Sequence, residues 1–114
     1  MFNNLEILGL AQARAQHAAA RQVQVATNIA NADTPGYRAR DVVPFEQVFR
    51  AGGGDARDQM NIRTIDAGGP ESPNGNTVSL EAEMVRSVEA QRDHERALSV
   101  YRSAMNVLRA GLGR

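Results

Sequence analysis

The 114-residue sequence predicts an all-α core: two long antiparallel helices, coiled-coil-like, joined by a turn-rich and partly flexible central segment. Three observations predict it. Residues 4–31 and 76–112 each repeat apolar or small residues at alternating spacings of three and four, the period of a helix packed along a seam. No Gly or Pro interrupts the chain between Gly9 and Pro35. The stretch between the two periodic segments is crowded with turn formers and carries neither repeat. The whole reads as one domain, too short for a catalytic domain plus a regulatory one.

The N-terminal helix, residues 4–31, has its seam at Leu8, Ala11, Ala15, Ala18, Gln22, Val25, Ile29 and Ala32. Alanines fill its middle, so a neighbouring helix can approach closely there. Its length is about 40 Å at 1.5 Å per residue. Residues 32–50 hold a Pro-Gly turn and then Pro44-Phe45-Glu46-Gln47-Val48-Phe49, a short helix with Pro44 at its first position. Residues 51–75 are expected to be a flexible linker, with Gly52-Gly53-Gly54 at one end and Gly68 to Gly75 at the other. Between those ends, Met60 to Ile65 is the one stretch suited to a short strand or hairpin arm.

The C-terminal helix, residues 76–112, places its seam at Leu80, Met84, Ser87, Gln91, His94, Leu98, Tyr101, Met105, Leu108 and Leu112. Asn76 or Ser79 suits the N-cap, and Glu81 and Glu83 sit where the helix dipole favours carboxylates. Arg109 and Gly111 or Gly113 suit the other end. The polar middle of the seam lowers stability but fixes register and partner choice.

Composition narrows the function. The formal net charge is +0, from 13 basic and 13 acidic residues, which argues against nucleic-acid binding. All the basic residues are Arg, and no Cys is present, so disulfides, thiolate catalysis and zinc–thiolate sites are excluded. No apolar run is long enough to span a bilayer, and Met1 to Leu10 lacks the basic and long apolar regions of a cleaved secretory signal. His17 and His94 are the only histidines, and neither has a carboxylate or second histidine at metal-ligand spacing. Neither a phosphate-binding loop nor a nucleophile–base–orienter set is present, so no enzyme, cofactor, metal or small-molecule substrate is expected. Large apolar residues are few, with no Trp, two Tyr and three Phe. A self-sufficient core is then doubtful, partner subunits are a natural source of further burial, and the helices are expected to be marginal alone.

The most specific stretch is Asn28-x-x-Asn31-x-x-Thr34-Pro35-Gly36-Tyr37, followed by Arg38 and Arg40. Pro35 and Gly36 fit the second and third positions of a type II turn, because Gly accepts φ > 0. Asn28 and Asn31 share a helical face, and their amides are expected to bond a partner's backbone, with Tyr37, Arg38 and Arg40 aimed at a neighbouring subunit. This stretch resembles the signature of the flagellar basal-body rod, hook and hook-associated family of axial proteins. A second segment, Asn76-Thr77-Val78-Ser79-Leu80-Glu81-Ala82-Glu83-Met84, resembles the C-terminal region of the same family. The short length and the Leu-Glu-Ala-Glu-Met start of the last helix are most similar to the proximal rod branch. Distal rod and hook proteins carry a much larger central domain.

The resemblance implies a structural subunit of the flagellar rod within the periplasm, stacked helically through its terminal helices and contributing to motility. It implies as partners other rod subunits of the same and related types, the adaptor and the ring and export-gate components at the rod base, and the flagellar type III export apparatus that carries it out of the cytoplasm. Another proximal rod type, or a free-standing coiled-coil module such as a secretion chaperone, is the alternative. The latter would be a stable dimer in solution with no need of the Pro-Gly turn.

Overall fold

The computed structural model describes residues 4–51 and 62–113. Its elements in chain order are α1 (Asn4–Ala30), β1 (Arg40–Val42), α2 (Phe45–Ala51), β2 (Thr64–Asp66) and α3 (Leu80–Leu112). The helices α1 and α3 run antiparallel: Asn28 of α1 meets Glu83 of α3, Gln22 meets Ser87, and Ile7 lies across a groove from Val100. The result is a slender body with extents of 65 × 25 × 15 Å.

The two helices meet along a seam of small residues. Ala11, Ala18 and Val25 are buried on α1, and Ala90, Ala97 and Ala104 on α3, each set spaced by seven. Small side chains let the two backbones approach, and the strict sevens keep the stripe on one side of a supercoiled pair. The predicted architecture is therefore present, but the α3 seam is displaced by one residue in one of its two columns. Ser87, His94, Tyr101 and Leu108 are half-buried beside α1. The other column is Glu83, Ala90, Ala97 and Ala104, in place of Met84, Gln91, Leu98 and Met105. Met84 is 65% exposed, Leu80 55% and Leu98 37%, and Ile29 on α1 is exposed as well. The large residues lose the position between the helices because alanines allow a tighter fit there.

Ser79 is the N-cap of α3, its Oγ accepting from the Ala82 N–H at 3.3 Å, so residues 76–79 precede the helix. At the other end the Gly113 N–H donates to Arg109 O. A smaller core of Ala39, Val42, Val43, Phe45 and Val48 lies under β1 and α2. The short helix α2 begins one residue after Pro44, whose carbonyl accepts from the Gln47 and Val48 N–H groups. Phe45 packs edge-on against His17, with 5.7 Å between ring centroids, and the Arg14 guanidinium lies over its face.

The strands β1 and β2 form an antiparallel two-stranded sheet, with Asp41 opposite Ile65. Of the expected strand segment, Met60 and Asn61 lie outside the described residues, and the strand itself starts at Thr64. The Gly52-Gly53-Gly54 linker lies outside them too. The second linker does not hang free as expected. Asn74 O accepts from the Gly36 N–H at 2.9 Å, and the Ser72 N–H donates to Asn76 O at 2.8 Å, so the stretch lies against the Pro-Gly turn.

Candidate functional site

The end of α1, the turn after it and the approach to α3 converge on the Asn28 amide. A helix leaves its last carbonyls without internal partners, and a chain that reverses there must supply them. Asn76 does so: its Nδ2 donates to Asn31 O at 2.9 Å and to Thr34 O at 2.8 Å. The type II turn at Thr34-Pro35-Gly36-Tyr37 is closed by the Tyr37 N–H donating to Thr34 O at 3.2 Å. Gly36 has φ +73°, in the left-handed region where an added Cβ is strained.

From the turn the chain folds back on the helix. The Tyr37 hydroxyl donates to Asn28 Oδ1 at 2.9 Å, and Asn28 Nδ2 donates to Arg40 O at 2.7 Å and to Glu83 Oε1 at 3.0 Å. The Arg40 N–H and the Gln24 amide also donate to Asn28 Oδ1. One fully buried side chain thus ties α1 to the turn, to β1 and to α3. Asn31 acts locally, donating to Thr27 O and accepting from the Thr34 hydroxyl. Thr77 completes the join: its N–H donates to Tyr37 O and its hydroxyl accepts from the Ala39 N–H.

Beneath this clasp lies a charge cluster. Glu83 is fully buried and accepts from Arg86 Nη1 as well as from Asn28. The Arg86 guanidinium also approaches Asp41 at 3.6 Å, and Arg21 grips Asp41 through two bonds of 3.1 and 3.2 Å while reaching Glu89 at 3.3 Å. Burial works to lower the Arg21 pKa, but the hydrogen bond and charge of Asp41, with Glu89 behind them, outweigh it and raise the value. A buried carboxylate persists only when paired and hydrogen-bonded, and Glu83 has both kinds of partner.

Two expectations are corrected by this geometry. Asn28 does not present its amide to a partner, because all of its bonds are internal. Tyr37, Arg38 and Arg40 do not point away from the body either. Arg38 pairs with Asp66 at 2.7 Å and with Glu71 at 3.0 Å, and Arg40 donates to the Thr64 hydroxyl and carbonyl, so both hold the β2 arm. Arg38, through its hydrogen bond, and the Gly68 N–H hold the Asp66 carboxyl below its ordinary value. Sequence reasoning saw Asn76 only as a possible cap and Glu83 only as a dipole partner. It gave no role to Thr77 or Asp41, whose partners are distant in the chain.

His17 donates from Nε2 to Val43 O at 2.6 Å and holds β1 against α1. Among the described residues no group of three or more His, Cys, Asp or Glu is placed to hold a metal ion, and no helix is long and apolar enough to cross a membrane.

The family signature described as "Flagella basal body rod protein" matches residues 10–38. The flagellar basal body rod protein FlgB of Agrobacterium fabrum (strain C58 / ATCC 33970) is 34% identical over 118 residues, covering 87% of this chain and 87% of the relative. The chain belongs to the flagellar basal body rod protein family. The span matched by the family signature ends one residue past Tyr37, so it contains Asn28, Asn31 and the whole turn. The stretch by which a rod-family member is recognised is here an internal clasp that fixes how the chain leaves its first helix.

Proposed function

We propose that this chain is a structural subunit of the proximal rod of the bacterial flagellar basal body, of the same type as its Agrobacterium relative. The observation that carries this reading is the two-way coverage: the alignment takes in 87% of both chains, which leaves no room for the large central domain of distal rod and hook proteins. The work is mechanical. The long helices form a stiff bar, and the charge cluster and clasp fix the angle of the β1–β2 arm to that bar, so a subunit transmits force without its parts sliding. No step of chemistry is assigned to it. Its partners are rod subunits of the same and related types and the adaptor, ring and export-gate components at the rod base. It is made in the cytoplasm, passed out by the flagellar type III export apparatus and held in the rod within the periplasm.

The test is a strain lacking the gene, complemented with a tagged copy. The chain is expected in purified basal bodies, with swimming restored. A strain that swims without it, with the tagged chain found as a soluble cytoplasmic dimer, would refute the rod reading and favour a chaperone-like module.

A further inference from the structure

The sequence contains one Asn-Gly pair, Asn74-Gly75, and no Asp-Gly pair. An asparagine followed by glycine carries a reaction of its own. The backbone nitrogen of the next residue can attack the side-chain amide carbon, and glycine has no side chain to shield that nitrogen. Here the pair fills the last two positions of the turn Ser72-Pro73-Asn74-Gly75, and Asn74 is exposed. Two hydrogen bonds act on it in opposite senses. The Asn76 N–H donates to Asn74 Oδ1 at 3.1 Å, which draws electrons from the amide carbon and invites attack. The Gly75 N–H donates to Ser72 O at 2.8 Å, which keeps on the nitrogen the proton that must leave before attack. The second bond decides the rate, because no nitrogen lone pair is free until it opens, as in amide hydrogen exchange. The turn is in turn pinned to the end of α1. The Gly36 N–H donates to Asn74 O, and Asn76 Nδ2 is anchored on Asn31 O and Thr34 O.

We propose that Asn74-Gly75 is a self-modification site, shut while the clasp is closed and open whenever the clasp opens, and that its isoaspartate product bars the clasp from closing again. The Gly75 nitrogen bonds to Asn74 Cγ, the Cγ–Nδ2 bond breaks, and ammonia leaves with the proton that the Gly75 nitrogen gives up. Water then opens the resulting succinimide. Cleavage of the new Cγ–N bond gives aspartate, and cleavage of the original peptide C–N bond gives isoaspartate. In isoaspartate the chain runs through Cβ and Cγ, one methylene longer, and the old Asn74 carbonyl becomes a carboxylate branch outside the chain. The acceptor of the Gly36 N–H is thereby taken out of register. The two turns also leave no room for an added main-chain atom, since even a Cβ on Gly75 would lie 3.4 Å from Gly36 Cα. A chain that folds promptly is spared, and one that lingers open is marked and cannot join Asn76 to the end of α1. The chemistry belongs to the clasp and holds whether or not the chain is a rod subunit.

The purified full-length chain is held in mildly alkaline buffer, folded and in guanidinium chloride, and sampled over time for peptide mass mapping. An isoaspartyl methyltransferase with a labelled methyl donor reads isoaspartate in the peptide that contains Asn74. The unfolded chain is expected to gain it at Asn74 at least about tenfold faster than the folded chain. Asn106, exposed on α3 and followed by Val107, is expected to stay unmodified in both. Asn76→Ala removes the anchor but keeps the Asn-Gly pair, and its rate is expected to lie between the two. Circular dichroism checks that this variant is folded, and if it is not, the folded and unfolded wild type decide alone. Equal rates in those two, a folded Asn76→Ala no faster than wild type, or modification spread over the other asparagines would each overturn the proposal. So would isoaspartate-bearing chain that, returned to buffer, regains wild-type amide-exchange protection at Gly36 and Thr77, whose N–H groups close the join.

Discussion

Replacing Asn28 by Leu tests the clasp directly. The two side chains are close in size, so the change removes polar groups without opening a large cavity. It leaves the Arg40 N–H and C=O without their partners and takes one of two partners from the buried Glu83 carboxylate. Of these groups only the Glu83 carboxylate is fully buried and the Arg40 backbone is part-buried; an orphaned buried group costs about 1–3 kcal/mol, and burying the leucine returns about 2 kcal/mol. The Tyr37 hydroxyl and the Gln24 amide can turn to water and add little. The expected net loss is about 2 kcal/mol, a large share of the stability of a small domain. Urea unfolding followed by helical circular dichroism reads it: with a slope of about 1.5 kcal/mol/M, the midpoint falls by about 1.3 M. Tyr37→Phe, which removes a single donor to the same oxygen, is expected to cost about 1 kcal/mol. If Asn28→Leu moves the midpoint by less than about 0.5 M, the amide does not hold these elements together. The alternative, that it faces a partner, would then stand.

Three further expectations follow from the same geometry. Ala90→Leu forces a large side chain into the α1–α3 contact and is expected to cost about 1–3 kcal/mol, while Leu98→Ala, on the open face, changes unfolding far less; the reverse order would restore the seam read from sequence. Gly36→Ala is expected to destabilise by about 1 kcal/mol through its positive φ, since nothing lies within 4 Å of the added Cβ, whereas Gly111→Ala, helical and equally unobstructed, is neutral or mildly stabilising; equal effects would remove the left-handed turn. The Asp66 carboxyl is held below 3.8, so its contribution to holding the β2 arm is complete above that pH and is lost as pH falls through the depressed folded value. Carboxyl NMR is expected to show Asp66 titrating below 3.8 in the wild type and nearer to it in Arg38→Met, and an ordinary value in both would break the Arg38–Asp66 pair.

The parts of this molecule legible in the sequence are those written in local chemistry. Two uninterrupted heptad-like stretches give α1 and α3, and Pro35-Gly36 gives the turn, because both signals lie within a few residues of the structure they produce. The strand β1 was not legible, since Arg40–Val42 is three residues long and owes its form to Asn28 on one side and β2 on the other. The role of Glu83 was hidden for a similar reason: a carboxylate in a first helical turn looks like a dipole partner, and only the end of α1, 55 residues earlier, makes it a buried one. The displaced seam has a different cause. A periodic pattern is found by its largest apolar residues, but two helices of one chain close most tightly on their smallest. Leu80, Met84 and Leu98 therefore lie on the outer side of α3 and not between the two helices. The period read from them is the period of the true seam, carried one residue round the helix from the alanines that meet α1. In α3 the small residues Ala90, Ala97 and Ala104 set how closely the pair can approach, and Met84 and Leu98, one residue further round the helix, stay on its surface.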